Sequence, residues 1–174
     1  MITPATLENE WLGNLGRRTR RTVREMAGEA LLAANAGPDE TFFAALGVAS
    51  HQVILRHLLR RHFLPLRLFV WRQAVLATHP AWAERLFVAL GGQLPGKPAE
   101  QARIRNDLAF FQLITDQFAE EGFISVALHL VQKVHGEIPR RPGNLDHVVG
   151  LNAWLDERYQ EDLERLGGSE IRPG

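Results

Sequence analysis

Arginine has the most to offer here. Five arginines fall in RRTRRTVRE (17–25), and three more stand with two histidines in RHLLRRH (56–62), yet the 174-residue chain has a formal net charge of zero. A guanidinium grips carboxylates and phosphates through a planar fork of donors. The chemistry on offer is therefore the binding of something acidic. On a helix turning about 100° per residue, Arg17, Arg20, Arg21 and Arg24 form one stripe opposite the apolar face that holds Leu15, with Arg18 off to one side. Such close like charges repel, and only Glu25 and Glu29 stand near enough to offset them. In the second cluster Arg56 and Arg60 share a face one turn apart, with His57 at its edge and Arg61 adjacent. Such a cluster suits an anion or carboxylate pocket. The expected binding surface is Arg17, Arg20, Arg21, Arg24, Arg56, His57, Arg60 and Arg61.

Bond-making chemistry is poorly supplied. There is no cysteine, so disulfides, thiolate nucleophiles and cysteine-held metals are absent. The serines are Ser50, Ser125 and Ser169, and none lies in a G-x-S-x-G turn. Asp116 and Glu120 lie one turn apart and could share acid–base work, but such pairs are common on solvated helices. No two of the seven histidines are four apart, and no glutamate precedes a histidine by three, so the local signatures of helical zinc and di-iron sites are missing. GGQLPGKP (91–98) matches the phosphate-binding loop at Gly91, Gly96 and Lys97, but Pro98 occupies the place of the magnesium-binding hydroxyl.

Three stretches carry resemblances. TFFAALGVASHQVILRHLLRR (41–61) resembles a helix-turn-helix with Gly47 at the turn, although Phe43 stands where that motif takes a small residue. The resemblance implies a DNA-binding protein, against which the sequence pI near 7.1 offers no basic excess. FVWRQAVLATHPAWAERLF (69–87) and KVHGEIPRRP…VVG (133–150) resemble segments of bacterial globins. That resemblance implies haem binding, with His135 as the ligand to iron.

The elements that must position these residues read as helices almost throughout. Thr3-Pro4 looks like a cap and first helical residue, and the three-and-four spacing of apolar or neutral positions then runs from Leu7 to Ala33. NAGPD (35–39) stops that helix and recaps at Asp39, while Pro65 should kink or end the next long stretch. Helices follow over THPAWAERLFVAL, over roughly 98–121, and over GFISVALHLVQKV. The last of these is apolar nearly all round and so should be the most buried element. Asn144 caps a final amphipathic helix ending at Gly167-Gly168. The expected fold is all-α: a single globular bundle of six or seven helices over 1–174, with a tail over 167–174 that could stay flexible.

Apolar residues make up 45% of the chain, ample for a core, and no apolar run reaches the roughly 18 residues of a membrane span. A cytoplasmic protein without membrane contact is expected. Residues 1–90 hold 11 arginines against 7 acids, and residues 91–174 hold 9 cations against 13 acids. The halves could neutralise each other on folding or join copies head to tail. The function this reading favours is non-catalytic: an adaptor or assembly factor acting through charged surfaces. Its partner would be an acidic protein surface or another copy of the chain, with nucleic acid disfavoured and no cofactor or metal. A haem- or ligand-binding domain and a DNA-binding protein are the alternatives.

Overall fold

The computed structural model describes residues 19–136 and 143–172. Among them are seven α-helices: α1 (Val23–Asn35), α2 (Glu40–Ala45), α3 (Val53–Thr78), α4 (Ala83–Gln93), α5 (Pro98–Gln117), α6 (Ile124–His135) and α7 (Gly143–Gly167). Short 3₁₀ turns at Pro80–Trp82 and Ala119–Glu121 precede α4 and follow α5. The only β-structure among the described residues is β1 (Thr19–Thr22), paired in parallel with β2 (Ser169–Arg172). The all-α bundle expected from the sequence is the fold observed.

Local chemistry explains most boundaries. The Thr22 hydroxyl accepts from the Glu25 backbone N–H while the Glu25 carboxylate accepts from the Thr22 N–H, a reciprocal cap that starts α1. Asp39 caps α2 as expected, accepting from the Phe42 N–H at 2.9 Å. The helix over the region of Asn144 begins one residue earlier, at Gly143.

Four expectations are corrected. Thr19–Thr22 is strand, not helix, because β2 supplies backbone partners in the register Thr19↔Ser169 to Thr22↔Arg172. No local spacing reveals a partner 150 residues away. For the same reason the tail carries β2 over Ser169–Arg172, its Ser169 buried. Pro65 does not end its helix: α3 runs through it for 26 residues. Proline removes the N–H that would bond the carbonyl four residues back, which is that of Arg61, and the Arg103 guanidinium donates to this carbonyl instead, at 2.8 Å. Finally, α6 is not the most buried element. It buries Val126, Ala127, Leu130 and Val131 but leaves Ile124 36% and Leu128 37% exposed.

The central element is α3, with ten buried residues from Leu59 to Val75. Phe63 meets Phe42 edge-on and Trp154 at a tilt in a ring cluster with centroids 5.1–6.0 Å apart, tying α3 to α2 and α7. Phe69 does the same toward Phe111 of α5 and Phe123 before α6. Arg67 and the fully buried Asp162 form a two-pronged ion pair between α3 and α7, and Arg165 donates to the same carboxylate at 2.6 Å. A buried charge survives only when paired in this way.

Candidate functional site

The first three turns of α3 project their outer arc into solvent. Around the helix, Arg60, Val53, His57, Arg61, Ile54 and Leu58 fall in that order within about 160°. All six are exposed, with Val53 at 69% and Ile54 at 79%. Beside this arc lies a groove of about 570 Å³ between α3, the end of α1 and the start of α5, lined by His57, Arg60, Arg61, Asn35, Glu100 and Arg103. Arg103 is held there by the Arg61 carbonyl and by Asp107, 3.3 Å away. Among the described residues neither Arg60 nor Arg61 has a carboxylate within ion-pair distance. The arrangement presents three cations, an imidazole and the Glu100 carboxylate beside a partly apolar ridge. Its excess of cations can attract and orient an acidic surface.

The other expected site residues are dispersed. Arg17 lies outside the described residues. The helical stripe is replaced by a strand in which Arg20 pairs with Glu170 at 3.1 Å and Arg21 with Glu29 at 2.6 Å. Arg24, in the first turn of α1, lines a separate hollow with Trp82 and Arg85. Arg56 is a structural staple: its guanidinium grips both Glu40 oxygens at 2.7 and 2.8 Å, donates to the Ala49 and Val48 carbonyls, and lies over the Phe43 ring. The Glu40 hydrogen bonds raise the Arg56 pKa further above its ordinary value. Of the eight residues, the structure brings together His57, Arg60 and Arg61. It adds Arg103, which the sequence reading missed. Pro65 was its only signal, through the carbonyl that proline leaves without a partner.

The histidines are engaged elsewhere. The Nε2 atom of His135 is bonded to the Leu46 carbonyl at 2.7 Å, and its ring stacks on His147 at 5.0 Å. Ligation of haem iron through that nitrogen would have to break this bond. Gly47 (φ 67°) makes the stack fit, since a Cβ there would meet the His147 ring at 2.2 Å. His79 bonds the Leu166 carbonyl at 3.0 Å. Deeper between α3, α5 and α6, His62 Nδ1 stands 3.6 Å from Asp107, too far for a hydrogen bond. Burial, then Lys133, lowers the His62 pKa against the opposing pull of Asp107, and burial lowers that of His129. No group of three His, Asp or Glu among the described residues is placed to hold a metal.

A second hollow, of about 390 Å³, opens where α5, α6 and α7 meet. Its walls include Ile114, Phe118, Ile124, Leu128, Leu145 and Val148. Phe118 is 48% exposed here because α5 ends at Gln117 and the chain turns.

No protein-family model, curated protein or solved structure matches this chain. Among the described residues no helix is long and apolar enough to cross a membrane.

Proposed function

We propose that this chain is a non-catalytic interaction protein, an adaptor or assembly factor, whose contact surface is the outer arc of α3 with its adjoining groove. The observation that supports this reading is the interleaving on one arc of exposed aliphatic side chains (Val53, Ile54, Leu58) with His57, Arg60 and Arg61. Isolated exposed aliphatics are ordinary, but three of them set among charges on one exposed helix arc mark a place where another macromolecule sits. The cations select an acidic partner, and the aliphatic residues select one with apolar side chains of its own. That combination fits a protein surface better than a phosphate backbone, which offers Val53, Ile54 and Leu58 nothing to bury against.

A photo-crosslinking amino acid placed at position 57 tests the reading in cells. It should yield a discrete cross-linked protein product, and Arg60→Glu with Arg61→Glu should remove that product while leaving the melting temperature within a degree or so, as expected for exposed sites without partners. An undiminished product in the doubly reversed protein would sink the assignment of this face.

A further inference from the structure

We propose that the partner of this face is a second copy of the same chain, seated head to tail with the α3 arc of one copy in the α5–α6–α7 groove of the next. This rests on the reading of the α3 arc as an interaction surface and names its occupant. The two surfaces complement each other in both respects that matter. The arc offers three exposed aliphatic side chains, Val53, Ile54 and Leu58, on a convex helix end. The groove is concave and walled by apolar side chains, of which Phe118 (48%), Leu145 (58%) and Leu128 (37%) are open to solvent.

The charges match as well. Glu121 lines the groove, and Glu120 and Asp146 stand exposed next to its lining residues Glu121 and Leu145. None of them has a cationic side chain within 4 Å among the described residues. Among the described residues of α6 the exposed cation is Lys133, toward its far end. Farther along α7, Glu157 and Glu161 are both paired with Arg158 at 2.9 Å. Unpaired carboxylates thus border the apolar groove, and the unpaired Arg60 and Arg61 border the apolar arc. The solvent-facing Ile124 and Leu128 of α6 acquire a physical reason on this reading. The outer side of that helix is an interface, not core.

The two surfaces differ, so the contact is heterologous. Such a contact propagates into a ring or a filament instead of closing on itself as a two-fold dimer does. That property makes the test sharp. One variant, Arg60→Glu with Arg61→Glu, spoils only the arc. Another, Glu120→Arg with Glu121→Arg, spoils only the groove. All four positions are exposed, so both variants should fold and melt like the parent.

Light scattering on the purified chain should give a mass above the 19.6 kDa monomer that rises with concentration and falls with added salt. Each variant alone should stay monomeric, its self-affinity reduced on the order of a hundredfold by like charges set face to face. An equimolar mixture should associate again, because the unaltered groove of the first variant meets the unaltered arc of the second as in the parent, and the reversed arc and reversed groove are once more opposite in charge. A parent that stays monomeric throughout, or a mixture that stays monomeric while the parent associates, overturns the proposal. If position 57 then cross-links a different protein, self-association falls but the interaction reading stands. If it cross-links nothing, both fall.

Discussion

His62 and His129 sit where α3, α5 and α6 converge, and their surroundings decide how the protein meets acid. Asp107 pulls the His62 imidazole toward its charged form, but burial together with Lys133 and Arg103 pushes harder the other way. His129 lies against the Phe110 ring at 4.7 Å and is lowered mainly by burial. Both therefore stay neutral in the folded chain at pH values where the unfolded chain, near the ordinary 6.5, already takes up protons. The unfolded state binds more protons in that window, so stability falls as the pH drops below about 6.5 and is unaffected by these groups above it. Thermal melts from about pH 7.5 down to 5 should show the decline, and His62→Gln with His129→Gln should flatten it. A parent curve level across that range would contradict the assignment. At this scale the sequence was legible in types and poor in roles. Arg56 looked like an anion ligand because guanidinium and anion belong together, but its anion is Glu40 of the same chain. His135 is likewise held by a carbonyl from the α2 turn, which spacing along the chain could not foretell.

Helices announce themselves through apolar periodicity and caps, and the stops at Asn35 and Gln93, the cap at Asp39 and the start at Pro98 were all readable to within two residues. The strand pair and the passage through Pro65 share one physical cause, a partner supplied from far along the chain. β1 is strand because β2 lies beside it. α3 passes through Pro65 with Arg103 serving the Arg61 carbonyl that the missing N–H leaves open. This last case can be measured as a coupling. Arg103→Ala should cost about 1 kcal/mol, the usual net worth of such a bond. In a Pro65→Ala background, where the helix can bond that carbonyl itself, the same change should cost much less. Denaturant melts of the two single variants and the double variant give the interaction energy. A value near zero would mean that the Arg103 contact is incidental to the helix.

Over the whole molecule the charge runs from a basic first half to an acidic second half, and that polarity was visible in residue counts alone. Geometry adds which charges are cancelled internally, as Arg20, Arg21, Arg56, Arg67 and Arg158 are, and which are left facing outward. Such cancellation is a property of tertiary neighbours, so the α3 arc could not be told from the β1 arginines in one dimension. The β1–β2 pair joins the two ends of this polar chain, with Arg20 opposite Glu170. Ending the chain after Gly168 should lower the melting temperature by about 5 °C, the shift expected for one or two kcal/mol in a domain of this size, and leave helical circular dichroism unchanged. An unaltered melt would make the strand pair ornamental. The same pairing also sets a schedule for biosynthesis. β1 is the first of these elements to emerge from the ribosome and β2 the last, so while the helices between them are made β1 is an open backbone edge of the kind that recruits other chains. Sealing of that edge must await the emergence of β2.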